Sequence, residues 1–352
     1  MSGVAADDAT VVVRDPSEAG TVYGRGYFGT VREEGLALDR YEASYLLEMD
    51  RLAVVDARGE PVAWPALFRR AVRAEAGFGV RYLVYRDLRQ RGYVVRTGTA
   101  PYAFAVLPRG GIHQKTPAKY WVATYSERAP FSLGELFGLA ERAQSARKTL
   151  LLAVVDEESD LTFYRVRRPT PTGSMAAPVL ATPVDGWVSE DRVIVFDADA
   201  AERLGKGLAY GSRIGRRLEL SLLEAAHLAR SGQLTLRDAR TRRAVPYERF
   251  ARRARALDAR FDDRLTTYAR LREMKLVVKT GFKYGAHFRA YPRNPETVHA
   301  RYLVQAVHDS HVAPWPEIAG AVRVAQGVRK ELILAGVQGE SVRFLSLERI
   351  RP

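Results

Sequence analysis

YRDLRQRGYVVRTG at positions 85–98 returns as YARLREMKLVVKTG at 268–281, a helix-period run leading into a short apolar strand and the same closing Thr-Gly. Further along, KYWVATYSERAPFSLGELFGLAERAQSARKTLLLAVV (119–155) faces RYLVQAVHDSHVAPWPEIAGAVRVAQGVRKELILAGV (301–337). Each of these reads as strand, turn, helix ending in Arg-Lys, and a second apolar strand. Lys148 and Lys330 mark the spacing, 182 positions apart. Toward the start of each copy VVVRD (11–15) faces VIVFD (193–197), and LALDRYEASYLLE (36–48) faces LELSLLEAAHLAR (218–230). Each copy therefore opens with a small strand-and-helix subdomain, and the chain is one unit written twice.

The expected boundaries follow from where the hydrophobic period fails. RRPTPTGSMAAPVLATPVDG (167–186) crowds Pro, Thr, Gly and Ala together, which reads as a linker. The expected organisation is a first repeat at 1–168, a linker at 169–188 and a second repeat at 189–352. The fold class is α+β, with strands and helices mixed in each copy, and 352 residues suit two domains.

Composition narrows the function. The 55 Lys and Arg against 41 Asp and Glu leave a charge of +14, the excess a polyanion-binding protein uses to displace counterions from phosphates. With no cysteine, thiol nucleophiles, thiolate zinc sites and disulfides are excluded. None of the six His residues sits in a HExxH arrangement or beside a carboxylate cluster, so neither metal nor cofactor is expected. No apolar run approaches a membrane span and MSGVAADDAT lacks the regions of a signal peptide; a cytoplasmic protein with no membrane partner is expected.

The copies also differ in an informative way. Phe288-Arg289-Ala290-Tyr291-Pro292-Arg293 lies opposite Phe104-Ala105-Val106-Leu107-Pro108-Arg109, so Tyr291 faces Leu107; His299 faces Pro117, and Lys330 faces Lys148. The second copy holds a phenol, an imidazole and an ammonium where the first keeps only the ammonium. One working copy and one scaffold copy are expected. Taken singly, a strand-end Tyr is an ordinary rim residue and a Lys after a helix an ordinary helix-end cation; the combination carries the reading. Lys283 and Arg293 are read as solvated or phosphate-facing charges.

KTGFKYGAHFRAYPRNPETVHARYLV followed by AVRVAQGVRKELILA resembles the catalytic domain of archaeal tRNA-splicing endonucleases, in the homodimeric form with two tandem copies per chain. The resemblance implies a tRNA-endonuclease-like catalytic domain with a mixed sheet, here about residues 262–352, in which the strand-end Tyr, the His before the next strand and the Lys at the helix end are Tyr291, His299 and Lys330. It implies metal-independent cutting of precursor tRNA at bulge-helix-bulge junctions, leaving 2′,3′-cyclic phosphate and 5′-hydroxyl ends. The side chains suit that chemistry, because RNA supplies its own 2′-hydroxyl nucleophile. Tyr291 is assigned as base, although a phenol with an ordinary pKa of about 10 needs a neighbouring cation or the substrate to help it. His299 is the acid and Lys330 stabilises phosphate charge; base and acid could be exchanged without contradicting the sequence.

The resemblance further implies a homodimer, which would hold two cutting sites at a fixed separation. The acidic run Asp156, Glu157, Glu158 and Asp160 would dock into a basic pocket of the partner chain, against the simpler reading of a solvated turn. Arg323, seven residues before Lys330 and so on the same face of a helix, and Arg343 on the next strand resemble the family's pair of base-stacking arginines. Two rivals remain. One is a non-catalytic RNA-binding or structural subunit, which would lack the Tyr, His and Lys. The other is a metal-dependent DNA nuclease, which would need clustered carboxylates.

Overall fold

The computed structural model describes residues 1–177 and 180–352; residues 178 and 179, inside the expected linker, lie outside the described residues. Two compact units are formed: Met1–Pro130 with Leu139–Val166 and Arg349–Pro352, and Phe131–Gly138 with Arg167–Glu348.

The first repeat contains β1 (Ser2–Ala5), β2 (Val11–Val13), α1 (Pro16–Gly24), β3 (Thr30–Arg32), β4 (Gly35–Leu38), α2 (Arg40–Glu48), β5 (Ala53–Val55) and α3 (Trp64–Ala74). It continues with α4 (Phe78–Gln90), β6 (Val95–Thr97), β7 (Phe104–Val106), β8 (Tyr120–Ser126), β9 (Phe131–Ser132), α5 (Leu133–Ser145), β10 (Thr149–Val155) and β11 (Leu161–Arg167). One sheet has the order β3-β4-β2-β1-β5, and in the other β11, β10, β8, β7 and β6 are successive neighbours. β8 and β10 run parallel, so their connection must cross over, and α5 makes the crossover. Tyr82, Tyr85, Phe78 and Phe104 are fully buried at the centre of this unit's core.

The second repeat follows the same plan with β12 (Val184–Ser189), β13 (Arg192–Val195), α6 (Ala198–Glu202), β14 (Ser212–Ile214), β15 (Arg217–Ser221), α7 (Leu222–Arg230), β16 (Leu234–Asp238) and α8 (Tyr247–Leu257). Then come α9 (Phe261–Glu273), β17 (Val277–Thr280), β18 (Phe288–Tyr291), β19 (Tyr302–His308), β20 (Val312–Ala313), α10 (Trp315–Gly327), β21 (Glu331–Gln338) and β22 (Ser341–Ile350). The small sheet has the order β14-β15-β13-β12-β16, and in the larger sheet β17, β18, β19, β21 and β22 are successive neighbours. Phe250, Phe261, Tyr268 and Val304 form its core. The fold is the expected α+β, in two tandem pairs. Within LALDRYEASYLLE and LELSLLEAAHLAR the helix starts later than the apolar spacing alone suggests, after Asp39 and Ser221. Each of these caps its helix in a reciprocal box, with Glu42 and Glu224 respectively.

Those two glutamates join the subdomains within each copy. Glu42, buried, accepts from Gly29 N at 3.0 Å and pairs with Arg96 of β6 at 3.1 Å. Glu224, equally buried, accepts from Gly211 N at 2.7 Å and lies 3.8 Å from Lys279 of β17, whose ammonium also donates to Gly211 O at 2.6 Å. Burial raises the Glu42 carboxyl to about 7 and lowers Lys279, against the opposing pull of its partner carboxylate. Gly211 has φ +53°, and a Cβ there would meet Glu219 O at 2.4 Å, so the tight approach to Glu224 requires glycine.

Candidate active site

Register places the three expected catalytic positions at one edge of the sheet. Ala290 is opposite Tyr302, and Tyr302 is opposite Glu331. Tyr291 follows Ala290, Lys330 precedes Glu331, and His299 stands three residues before Tyr302. Because β18 is antiparallel to β19 and β19 parallel to β21, the end of the first strand and the starts of the other two share this edge. Backbone bonds from Arg301 N to Ala290 O (3.1 Å) and Glu331 N to Arg301 O (2.9 Å) carry the row past the strands.

Tyr291 is 8% exposed and packs with Val277, Ala209, Ala300, Val298 and Met175. Val298 and Ala300 flank His299 in the chain, so the packing that seats Tyr291 also holds the backbone of His299 beside it, while His299 itself is exposed. Asn294 shapes the loop leading to His299. Its side chain accepts from Glu296 N at 3.0 Å, and its carbonyl accepts from Thr297 N and Val298 N at 3.0 and 3.2 Å. Asn followed by Pro295 suits such a turn. The linker contributes as well: Gly173 N donates to Met274 O, Ser174 N to Pro292 O and Met175 N to Lys275 O, each at 2.9–3.0 Å. Met175 is thereby carried onto the Tyr291 cluster.

Lys330 owes its position to the end of α10. Arg329 takes the left-handed conformation (φ +54°), its N–H bonding Gln326 O at 3.0 Å while Lys330 N bonds Ala325 O at 2.8 Å. This paired pattern closes a helix. Arg147 (φ +56°) and Lys148 repeat it at the end of α5. The Lys330 ammonium donates to Val328 O at 3.3 Å and lies 5.6 Å from the centre of the Tyr284 ring.

Two residues without a signal in the motif comparison connect the site. The guanidinium carbon of Arg289 is 5.9 Å from both the Tyr284 and Tyr291 ring centres. Rings and cations thus run Tyr291, Arg289, Tyr284, Lys330 over one face. Arg289 could have been found from the alternation of FRAY, which puts positions 289 and 291 on one face of a strand; Tyr284 lies in a hairpin turn with no periodic signal.

Arg323 is exposed on α10. The same-face relation to Lys330 does not carry through, because α10 ends at Gly327 and the left-handed Arg329 turns the chain. Arg343 lies opposite Gly336, five residues along β21 from Glu331, about 16 Å of strand from the Tyr291 edge. Its guanidinium stacks 4.1 Å from the Phe137 ring centre and pairs with Asp309. Asp156, Glu157, Glu158 and Asp160 form the exposed turn between β10 and β11. Asp156 accepts from Glu158 N and Asp160 N at 3.0 and 2.8 Å, and Glu157 pairs with Arg128 at 2.7 Å. Among the described residues no three His, Cys, Asp or Glu side chains gather as metal ligands, and no helix is long and apolar enough to cross a membrane.

The model of the tRNA intron endonuclease catalytic C-terminal domain matches at 78–163 and again at 261–344, and that of the N-terminal domain at 2–68 and 184–251. The chain belongs to the tRNA-splicing endonuclease family. It is 38% identical over 335 residues to the tRNA-splicing endonuclease of Methanosarcina acetivorans and 37% to that of Methanosarcina mazei, with 94% of both chains covered in each case. The enzyme of Halobacterium salinarum is 34% identical over 347 residues, 93% of each chain. Membership in this family makes the chain an RNA-cutting enzyme, a tRNA intron endonuclease, and both copies of the repeat carry the family's domain pair.

Proposed function

We propose that the second copy cuts precursor tRNA at bulge-helix-bulge junctions without a metal, through Tyr291, His299 and Lys330. The observation that carries this is their gathering at one sheet edge, on the row Ala290, Tyr302, Glu331, while the first copy has Leu107 and Pro117 at the corresponding places. Tyr291 takes the proton of the 2′-hydroxyl as its oxygen attacks phosphorus and the bond from phosphorus to the 5′-oxygen breaks. His299 gives a proton to the departing 5′-oxygen, and Lys330 faces the charge that builds on the non-bridging oxygens. The products are a 2′,3′-cyclic phosphate and a 5′-hydroxyl.

Arg323, exposed on α10, offers a guanidinium plane to an unstacked base. Arg343 serves as the second plane by exchanging its contacts with Asp309 and Phe137 for the base. The chain acts as a homodimer in which the turn at Asp156–Asp160 docks on a basic surface of the partner. Glu158 and Asp160 supply its outward charge, since Asp156 closes the turn and Glu157 pairs with Arg128.

Cleavage of a bulge-helix-bulge RNA in excess chelator, with end-group analysis, tests the reading. Cyclic-phosphate ends from the wild type and their loss in His299→Ala are expected. Wild-type cutting that chelator abolishes, or that His299→Ala leaves intact, overturns it.

A further inference from the structure

The edge of the first unit that corresponds to the cutting edge is not an empty relic. Val106 is opposite Tyr120, and Tyr120 opposite Thr149, the same row that carries Tyr291, His299 and Lys330 in the second copy. Here Leu107 and Pro117 stand at the two proton-transfer positions, yet the cations remain: Arg109 where the second copy has Arg293, Lys119 where it has Arg301, and Lys148 where it has Lys330.

Two of these cations, Arg109 and Lys119, border a cleft of about 520 Å³ lined also by Tyr93, Tyr120 and Arg351, among others. Arg109 lies 5.1 Å from the centre of the Tyr93 ring and Lys119 4.8 Å from that of Tyr120. The Tyr93 ring is a feature of this copy alone, since the second copy has Leu276 there. Arg109, Lys119 and Arg351 are exposed, and among the described residues none of the three forms an ion pair with a carboxylate. Cations set against aromatic faces are how a groove takes a nucleic-acid strand without reading its sequence.

We propose that this edge is a second, non-cutting binding site for the phosphodiester backbone of the precursor RNA, with Arg109, Lys119 and Arg351 facing its phosphates. This rests on the RNA-cutting reading of the second copy and adds a site to it. The first copy has the phosphate-holding part of the edge without the part that moves protons.

The test is binding of precursor tRNA between about 50 and 300 mM KCl, with single-turnover cleavage at saturating RNA, for wild type, Lys119→Gln, and the pair Arg109→Gln with Lys119→Gln. Neutralising one phosphate-binding cation should flatten the slope of log K against log salt by about 0.7–0.9. The pair should therefore flatten it by about 1.5 and raise KM several-fold, while the saturated cleavage rate stays within about twofold. The charge-keeping pair Arg109→Lys with Lys119→Arg should restore the wild-type slope. If the neutral variants bind with the wild-type slope and KM, the proposal is wrong. The same holds if they alter only the sedimentation of the protein, which would assign the cleft to an acidic segment of a second copy. A wild type that binds precursor tRNA but does not cut it would defeat the cutting reading while leaving the slope comparison interpretable.

Discussion

The guanidinium carbon of Arg289 stands 5.9 Å from the centre of the Tyr291 ring, two residues along the same strand and on the same face. A guanidinium packed at that distance from the ring orients the phenol of the proposed base. Arg289→Met should lower the single-turnover cleavage rate about tenfold, a change of about 1.4 kcal/mol, and Arg289→Lys should recover part of it. In a Tyr291→Phe background the same substitution should cost little more. Equal losses in both backgrounds would separate Arg289 from Tyr291.

The strap of linker across the site can be displaced at one atom. A Cβ on Gly173 would lie 2.1 Å from Lys275 O and 2.9 Å from Pro292 O, so Gly173→Ala must move the backbone that carries Met175 onto Tyr291. We expect a loss of about 1–3 kcal/mol of stability and a slower cleavage rate at saturating RNA. A variant with wild-type unfolding and wild-type rate would show that the strap does not position Tyr291.

Glu224 is both the partner of Lys279 and half of a helix cap. Glu224→Ala should cost about 1–3 kcal/mol in urea unfolding, because it opens the helix cap and leaves the half-buried Lys279 ammonium with Gly211 O alone. Adding Lys279→Met should return part of the loss. If the double variant were no more stable than the single one, the ammonium would not be the source of the cost.

Two histidines outside the site set an acid limit. Burial, with Arg272 nearby, pushes His227 down to about 4, and burial with Arg264 does the same to His287. A depressed folded-state pKa means that the unfolded chain takes up the proton first. Stability from these groups is therefore present above about pH 6.5 and lost as pH falls toward 4. His227 accounts for at most about 2–3 kcal/mol, and the more accessible His287 for less. Urea unfolding at pH 7.5 and 5 should show the loss in the wild type and a smaller one in His227→Phe. An unchanged pH dependence would remove His227 from the account.

How much of this was legible before folding depends on range. The repeat was legible because both copies must bury similar faces, so that apolar periods, the Asp39 and Ser221 caps and the Arg-Lys helix ends recur at one spacing. The candidates Tyr291, His299 and Lys330 were legible because the copies disagree at the first two. Helix onset is misjudged by apolar spacing alone, since strand β15 and helix α7 share the run LELSLLEAAHLAR and only the Ser221 cap separates them. The face shared by Arg323 and Lys330 failed for a similar local reason, a left-handed residue that no period announces.

By itself the sequence determined the two-copy α+β plan, the family and the asymmetry between a copy with Tyr291 and His299 and one with Leu107 and Pro117, all of which are written in local pattern and residue type. Only the tertiary structure decided that Ala290, Tyr302 and Glu331 form one row, that Arg289 and Tyr284 bridge Tyr291 to Lys330, that residues 173–175 brace the site, and that Arg343 is engaged by Asp309 and Phe137. Those relations join residues as distant in the chain as Phe137 and Arg343 through strand register and packing, and neither periodicity nor composition encodes which distant backbone a strand edge will meet.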